Sequence, residues 1–434
     1  MCQLVSIEWF HGFDMIKWFL VLVCVSAVAA RRSPNADYID ELESTRQGRY
    51  SSDILEDARL DVPGLLAKYG YPYEVHNVIT EDGYILEMHR IPHGRDRNNR
   101  PNPNKPIVFL MHGLLSSSAD FLVLGPGNAL GYLLAEAGYD VWLGNARGNF
   151  YSRRHRRLNP DSIINQNFWK FSWDEIGYYD IAAFVDYILQ RTKQSKLHYV
   201  GHSQGGTTFL VLNSLRPEYN KKFKSFQGLA PAAIFTNNDH LVFSALAPFE
   251  NIIETTAFSM GIGEIFGNRE FITWFATNFC HEGSIFHPLC GYAMTIVTAS
   301  ENFNQTMLPL FLGHAPAGAS IRQVAHYGQC IRFNAFRRYN FNLLTNLAVY
   351  GRRTPPEYDL SKITVPAYIH YGLRDREVNY KDLHILAKKL GNTVGIFRIP
   401  RETFNHYDFI WSSKAKTEFY DFLIRKIREA DRMH

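Results

Sequence analysis

The sequence predicts a mainly parallel, doubly wound α/β sheet that is interrupted by an inserted, mostly helical segment. The first observation behind this prediction is a series of short continuous apolar runs, separated by helix-patterned segments. Such runs are typical of strands buried on both faces. The second observation is the order of the units, in which a β-hairpin is followed by repeated β-α units, a long gap and further β-α units.

The hairpin is predicted at 73–92, where two alternating apolar runs flank Glu81, Asp82 and Gly83. The buried strands that follow are predicted, in order, at 106–111, 139–143, 196–200, 226–230, 365–371 and 394–399. Helices are predicted at 176–191, 207–215, 381–390 and 414–428.

The gap between the two groups of β-α units has no alternating β pattern and is rich in aromatic residues, with ten between 243 and 292. We interpret it as a helical cap over the strand ends, where open α/β sheets bind ligands. The predicted organisation is a signal peptide at 1–30, a polar arm at 31–62, the first part of the core at 63–233, the cap at 234–356 and the second part of the core at 357–434.

The first thirty residues have the pattern of a secretory signal. From Met15, an alternative start, one basic residue precedes an apolar stretch and small residues, with cleavage predicted after Ala29 or Ala30. A retained signal anchor is the alternative. No other segment reaches about 18 uncharged apolar residues, so no integral membrane segment is expected after signal removal. Asn304 lies in the chain's single N-glycosylation sequon, and the predicted location is extracellular or lysosomal.

The composition excludes several classes of protein. With 14% aromatic and only 20% charged residues, the chain is not of the disordered class. A net charge of +4 over 434 residues gives no reason to expect a nucleic-acid or polyanionic partner. The aromatic residues must therefore lie in the core or against an apolar ligand.

The cysteines left after signal removal are Cys280, Cys290 and Cys330. Cys280 and Cys290, with His281 and His287 between them, could bind zinc. Secretion favours a disulfide between the two cysteines instead, since disulfides persist in oxidising compartments. Cys330 is then left over, and we expect it to be buried.

The residues Gly201-His-Ser-Gln-Gly205 form the strongest catalytic motif in the chain. They follow a predicted strand and precede a predicted helix, which is the context that G-x-S-x-G requires. The tight turn lifts the Ser203 hydroxyl clear of the sheet, and the start of the helix places a positive dipole end beneath it. Ser203 is therefore the predicted nucleophile.

A serine hydroxyl needs a base to take its proton and a carboxylate to hold that base. In this architecture the partners follow in the order serine, acid, histidine, each after a later strand. Asp375 follows the fifth predicted buried strand, and His406 follows the sixth. The predicted triad is Ser203, Asp375 and His406, with Asp382 and Asp408 as rival carboxylates.

Ester cleavage passes through an oxyanion that needs preorganised donors. The loop His112-Gly-Leu114 follows the first predicted buried strand. The expected donors are the backbone N–H groups of Leu114 and Gln204. This chemistry requires no metal and no cofactor.

The chain resembles the acid lipase family, which includes gastric and lysosomal-type lipases and their insect relatives. The matching runs include 70–72, 80–86, 137–149, 151–155, 171–175, 177–180, 197–204, 314–318, 365–366 and 405–411. The resemblance covers about residue 60 to the C-terminus and implies an α/β-hydrolase fold. It also implies the triad and oxyanion donors named above, and a cap disulfide between Cys280 and Cys290. A departure is Gly206, where the family usually carries threonine.

These observations together predict a serine ester hydrolase of the lipase type, which acts on triacylglycerols or sterol esters at a lipid–water interface. A carboxylesterase of short soluble esters is one alternative. A non-catalytic lipid-binding or storage protein with the same fold is another. The sequence predicts no oligomeric state.

Overall fold

The structure is a computed structural model that describes residues 52–237, 244, 247–267, 269, 272–274, 280, 290 and 307–433. The predicted signal peptide at 1–30 and the sequon at Asn304 lie outside the described residues. His281 and His287, the zinc ligands of the alternative interpretation, lie outside them as well.

Within the described residues, a nine-stranded sheet forms the centre of the molecule. The strands of the chain are β1 (Glu74–Ile79), β2 (Tyr84–Ile91), β3 (Ile107–Met111), β4 (Asp140–Gly144), β5 (Arg154–His155), β6 (Leu197–His202), β7 (Phe223–Leu229), β8 (Glu264–Ile265), β9 (Ala319–Ser320), β10 (Ala367–Tyr371) and β11 (Thr393–Arg398). The sheet order is β1-β2-β4-β3-β6-β7-β10-β11, with β5 paired to β2, while β8 and β9 form a separate two-stranded sheet.

Helices cover the sheet and build the inserted segment. They are α1 (Ser52–Arg59), α2 (Val62–Lys68), α3 (Leu130–Glu136), α4 (Trp173–Glu175), α5 (Ala182–Thr192), α6 (Gln204–Leu215), α7 (Glu250–Ser259), α8 (Leu308–His314), α9 (Ile321–Phe333), α10 (Leu343–Tyr350), α11 (Tyr380–Lys389), α12 (Asp408–Trp411) and α13 (Asp421–Asp431). In the described part of the chain, no helix has the length and hydrophobicity needed to cross a bilayer.

The predicted fold class is confirmed. The strands from β4 through β3, β6, β7 and β10 to β11 are parallel, and every residue of β3, β4, β6 and β10 is buried. Continuous burial explains why these strands have unbroken apolar runs. The predicted hairpin is also present, since β1 and β2 pair antiparallel around Gly83, whose φ is 101°.

Because β3, β6, β10 and β11 are parallel, their carboxyl ends meet at one edge of the sheet. The loops that leave these four strands carry, in order, Leu114, Ser203, Asp375 and His406. The sheet therefore brings residues that are far apart in sequence to a common edge.

The chain leaves the sheet after β7 and returns at β10. Between these strands, the described residues form mainly helices and a small second core with Ile253, Ala257 and Ile321 among its members. Leu114 and Leu115, which follow β3, pack against this second core. The inserted segment thus reaches the same edge of the sheet.

Two local features differ from the predicted pattern. Residues 52–59, at the end of the predicted polar arm, form helix α1, where the Asp57 carbonyl accepts a hydrogen bond from His314 Nε2 at 2.7 Å. The helix predicted at 176–191 begins with a π-helical turn, Ile176–Ile181. Gly177 lies in this turn, where a Cβ would come 2.6 Å from Val211 Cβ, so its close approach to α6 needs glycine.

A buried arginine ties the hairpin to this π-helical turn. Arg147 Nε donates to Asp180 Oδ1 at 2.8 Å, and its terminal nitrogens bind the Asp82 carboxylate. Its guanidinium lies 3.9 Å from the centre of the Tyr84 ring. Arg147 and Asp180 are both almost fully buried, so each charge depends on the other for compensation.

We expect Arg147→Met to lower the free energy of unfolding by roughly 3–5 kcal/mol at neutral pH, because it leaves a buried carboxylate unpaired. Burial already raises the pKa of Asp180 to about 6, and the loss of Arg147 would raise this pKa further. An acid with a raised pKa in the folded state loses stability as pH rises. In urea titrations, the loss of unfolding free energy caused by Arg147→Met should therefore be smaller at about pH 5 than at neutral pH.

Arg154→Met is the matched control, because the Arg154 side chain is 50% exposed and should contribute less than about 1 kcal/mol. Equal stability of the two variants at neutral pH would contradict the structural role of the Arg147 network.

Candidate active site

Ser203 lies at the turn between β6 and α6. Its φ of 50° and ψ of −116° are strained for a residue with a side chain, and helix α6 begins at the next residue. The Ser203 N–H donates to Leu229 O at 2.9 Å, which fixes the turn to the end of β7. The side chain is partly exposed although its neighbours His202 and Gln204 are buried. This is the exposed strand-to-helix serine that the motif predicts.

Three glycines around Ser203 permit this turn by allowing close packing. A Cβ on Gly201 would come 2.6 Å from the backbone of Gly205. A Cβ on Gly205 would overlap the carbonyl oxygen of Met111 at the end of β3, and one on Gly206 would overlap Pro231. Gly206, which departs from the family pattern, thus packs directly against the segment that leaves β7.

Asp375 and His406 form a buried pair. His406 Nδ1 lies 2.8 Å from Asp375 Oδ2, and Asp375 Oδ1 accepts the backbone N–H groups of Glu377 at 3.0 Å and Val378 at 2.8 Å. These bonds orient the carboxylate toward the ring. Because Nδ1 is engaged by Asp375, Nε2 is the nitrogen available to a reacting group.

The environment of the pair sets its protonation. Burial disfavours the charged His406 ring, but the Asp375 carboxylate more than offsets this and raises the pKa of His406 above its usual value. Burial raises the pKa of Asp375, whereas the adjacent His406 lowers it. A carboxylate beside the ring thus favours the imidazolium that a general base becomes after it accepts a proton.

The rival carboxylates have other partners. Asp382 accepts hydrogen bonds from the backbone and side chain of Asn237. Asp408 accepts the Asn405 N–H at 2.8 Å and pairs with Arg401. The structure brings Asp375 to His406 and gives neither rival a hydrogen bond to that ring.

Ser203 and His406 lie on adjacent segments without a hydrogen bond between their side chains. The link between the segments is His202, whose Nε2 lies 3.0 Å from the carbonyl oxygen of His406 and whose ring centre lies 4.7 Å from that of His406. Burial and the neighbouring His406 hold the pKa of His202 well below its usual value, so the ring is neutral and its Nε2–H donates. Catalytic hydrogen bonds often tighten only when substrate binds.

The predicted oxyanion loop lies directly beside Ser203. A Cβ on Gly113, the residue before the predicted donor Leu114, would come 3.3 Å from Ser203 Cβ. The loop is held by His112, whose Nδ1 lies 2.7 Å from Gly113 O and whose Nε2 accepts the Ala146 N–H at 3.1 Å. Burial lowers the pKa of His112 to about 4, so this ring stays neutral and keeps both bonds at neutral pH.

The inserted segment contacts the loop after β3 and the residue that follows Ser203. Ala317 N–H donates to Leu115 O at 2.7 Å, next to the predicted donor Leu114. Gln204 Nε2 donates to Gln323 Oε1 on α9 at 2.7 Å. The two residues predicted to supply oxyanion donors are thus positioned in part by residues of the insertion.

Sequence reasoning assigned no positioning role to His112 or His202. Both histidines lie within the motifs around the loop after β3 and the nucleophile. The sequence does carry a sign of this role. Each histidine follows a run of mostly apolar residues at the end of a strand, where a buried polar ring must find a hydrogen-bond partner.

The cysteines have the predicted pairing. Cys280 and Cys290 are joined by a disulfide, with their Cα atoms 5.5 Å apart, and Cys330 is buried with a free thiol. Burial raises the pKa of the Cys330 thiol to about 12, which makes it unreactive. Among the described residues, no cluster of three or more potential ligand side chains could hold a metal ion.

The sheet order and the serine at the strand-to-helix turn define the protein as an α/β hydrolase. Family models agree, since one described as the alpha/beta hydrolase fold matches residues 106–252. A second, described as a partial alpha/beta-hydrolase lipase region, matches residues 62–125.

Similar proteins with known names identify the family of the chain within the α/β hydrolases. Lipase 1 of Drosophila melanogaster is 42% identical over 384 residues, covering 88% of this chain and 82% of the relative. Gastric triacylglycerol lipase of Rattus norvegicus is 37% identical over 385 residues, covering 86% and 93%. The Homo sapiens gastric triacylglycerol lipase is 36% identical over 376 residues, covering 86% and 92%. The chain belongs to the acid lipase family, which confirms the resemblance found in the sequence.

Proposed function

We propose that this lipase hydrolyses acyl esters of neutral lipids, triacylglycerols above all, through an acyl-enzyme on Ser203. The observation that carries the proposal is the partly exposed serine on a strained turn at the start of α6, beside the segment that bears His406, the buried partner of Asp375. The named relatives support triacylglycerol as the substrate class, because two of them are gastric triacylglycerol lipases.

In the first half of the reaction, Ser203 Oγ attacks the ester carbonyl carbon while His406 Nε2 takes the hydroxyl proton. The carbonyl oxygen becomes an oxyanion, which accepts hydrogen bonds from the N–H groups of Leu114 and Gln204. The intermediate collapses when the bond to the alcohol oxygen breaks, and His406 returns the proton to the leaving alcohol.

The second half repeats these steps with water as the nucleophile. His406 takes a proton from water, the hydroxide attacks the acyl carbon, and the bond to Ser203 Oγ breaks. The fatty acid leaves and Ser203 regains its proton. Asp375 keeps its own charge throughout and compensates the transient charge on His406.

We also propose that the segment 234–356 forms a cap over this site and helps to bind the acyl chain. Contacts from Ala317 to Leu115 and from Gln323 to Gln204 support this role, as does the apolar cluster against Leu114 and Leu115. An apolar cover over the nucleophile excludes water and provides a surface for an acyl chain.

The N-terminal pattern supports export to the extracellular space or to lysosomes, with cleavage after Ala29 or Ala30 and a glycan on Asn304. N-terminal sequencing of the protein recovered from culture medium, before and after removal of N-glycans, tests this proposal. A mature chain that begins at Met1 or Met15 and carries no glycan would contradict it.

The substrate proposal is tested with emulsified triolein, emulsified cholesteryl oleate and dissolved 4-nitrophenyl butyrate, each at acid and neutral pH. We expect a triolein rate that rises as the emulsion surface grows at constant lipid content. A rate confined to the dissolved short ester would favour the carboxylesterase alternative. If no ester is hydrolysed and a fluorophosphonate fails to label the protein, the non-catalytic alternative is favoured.

A further inference from the structure

Helix α10 presents its apolar side chains to solvent. The exposed fractions are 53% for Leu343, 77% for Leu344, 43% for Leu347 and 54% for Val349. The single buried residue of the helix is a polar one, Asn346. A surface helix of a globular protein normally has the opposite arrangement, with apolar residues inside and polar residues outside.

The buried asparagine fixes this orientation. Asn346 Nδ2 donates to Asn340 Oδ1 at 2.8 Å and to Arg353 O at 2.9 Å, while its Oδ1 accepts the Phe341 N–H at 3.0 Å. A rotation of the helix that buried the leucines would break all three bonds. The helix also ends sharply at Gly351, whose φ is 67°. The apolar face is therefore held outward by the fold.

Arginines flank this face along the chain, although Arg332 and Arg338 are paired with Glu250 and Asp174. Residues 331–356 contain five arginines and no aspartate, glutamate or lysine. Two of these, Arg352 and Arg353, directly follow the helix and are exposed, and neither forms an ion pair with any described residue. The hydrogen bond from the Asn346 side chain to the Arg353 carbonyl fixes the backbone of this basic pair to α10.

One aromatic residue at the end of α9 is exposed as well. Phe333, at the end of α9, is 45% exposed, and the Arg337 guanidinium lies 4.3 Å from the centre of its ring. An exposed helix with leucines on one face and arginines at its edge has the chemistry of an element that lies in a membrane–water interface.

We propose that α10, together with Arg352 and Arg353, adsorbs the enzyme to lipid surfaces that carry anionic headgroups. Leu343, Leu344 and Leu347 enter the outer acyl layer, and the two guanidinium groups bind phosphate or carboxylate groups at the surface. The inference rests on the proposed function, because a lipase that acts on emulsified lipid must first reach its surface.

The fold connects this surface to the active site. Helix α9 carries Gln323, which binds Gln204 beside the nucleophile, and Gln329, which binds Asn340, the partner of Asn346 on α10. At about 1.5 Å per residue, these two glutamines lie roughly 9 Å apart along one helix. Adsorption through α10 would therefore hold Ser203 within a short, fixed distance of the lipid.

A second copy of the chain fits the apolar face of α10 less well than an anionic lipid surface does. In a symmetric dimer the same patch meets itself, which would bring Arg352 and Arg353 of one copy against those of the other. The nearest acidic residues along the chain, Glu357 and Asp359, already lie beside Arg337 and Lys362. An anionic lipid surface has the complementary charge.

The test compares the wild-type enzyme with the triple variant Leu343→Gln, Leu344→Gln, Leu347→Gln in sedimentation with sucrose-loaded vesicles. The vesicles consist of phosphatidylcholine, either alone or with roughly one-fifth phosphatidylserine. Glutamine preserves helix propensity, and Asn346 keeps its bonds. We expect the triple variant to bind the mixed vesicles at least about tenfold more weakly. Arg352→Gln with Arg353→Gln should remove most of the preference for phosphatidylserine.

Matched controls are Val75→Gln, Ile164→Gln, Val394→Gln, which alter similarly exposed apolar residues elsewhere, and the exposed pair Arg156→Gln, Arg157→Gln. Hydrolysis of dissolved 4-nitrophenyl butyrate should be the same in all variants, because none of these residues lies at the site. Unchanged vesicle binding by the α10 triple variant would overturn the inference, as would equal losses in the controls.

Sedimentation velocity tests whether a second copy of the chain covers α10 instead. A wild-type dimer that becomes a monomer in the triple variant would assign the patch to self-association and overturn the inference. A wild-type enzyme that binds vesicles but hydrolyses no ester would contradict the proposed function alone.

Discussion

Replacing Ser203 with alanine is expected to lower the turnover of every acyl ester by about a million-fold, because no other group can form the acyl-enzyme. Labelling by a fluorophosphonate should be lost in the same variant. The Ser203→Ala variant should still fold. The Ser203 side chain forms no hydrogen bond to His406, and the turn is held by backbone bonds and glycine packing that alanine leaves intact. We therefore expect the free energy of unfolding to change by less than about 1 kcal/mol.

Ser214 provides the control on the same helix. Its hydroxyl is buried and has no hydrogen-bond partner among the described residues, so Ser214→Ala removes one buried polar atom and should leave turnover near the wild-type value. Triolein and 4-nitrophenyl butyrate hydrolysis should be measured for both variants, with thermal unfolding as the folding readout. Measurable turnover by folded Ser203→Ala protein would show that the nucleophile lies elsewhere.

Local sequence was sufficient to predict the nucleophile. The glycines at 201 and 205, the apolar run before them and the helical pattern after them all lie within about twenty residues, so the turn around Ser203 is determined by short-range chemistry. The parallel strands were predictable for a similar reason, because burial on both faces leaves a continuous apolar run.

Contacts between residues that are far apart in the sequence were harder to predict. The choice of Asp375 over Asp382 depended on its position in the loop directly after a predicted strand, and the structure supplies the distance to His406 that the sequence lacks. The bond from His202 to the His406 carbonyl depends on two loops, 204 residues apart, that meet at one sheet edge. The outward orientation of α10 is set by bonds between Asn346 and residues five to seven positions away, which no hydrophobic periodicity reveals.

Replacing Asp375 with asparagine is expected to reduce kcat/KM by about ten-thousand-fold while the protein remains folded. An asparagine can still accept the Glu377 and Val378 N–H groups through Oδ1, and its Nδ2 then points at His406 Nδ1. An amide donor at that position forces the His406 proton onto Nε2. The ring would then present a hydrogen to Ser203 in place of the lone pair that general-base catalysis requires.

The residual activity of this variant should also have a shifted pH profile. General-base catalysis needs neutral His406, so kcat/KM falls as pH drops through the pKa of this ring. In the wild type, Asp375 holds the pKa of His406 above its usual value against the opposing effect of burial. Without the Asp375 carboxylate, burial is opposed only by the smaller effect of Glu377, so the acid limb measured on dissolved 4-nitrophenyl butyrate should move to lower pH. Asp382→Asn, the matched change at the rival carboxylate, should lose far less activity and keep the wild-type limb, since Asp382 binds Asn237 and not His406. An unshifted limb in Asp375→Asn, or an equal rate loss in Asp382→Asn, would contradict the assignment of Asp375 as the partner of the base.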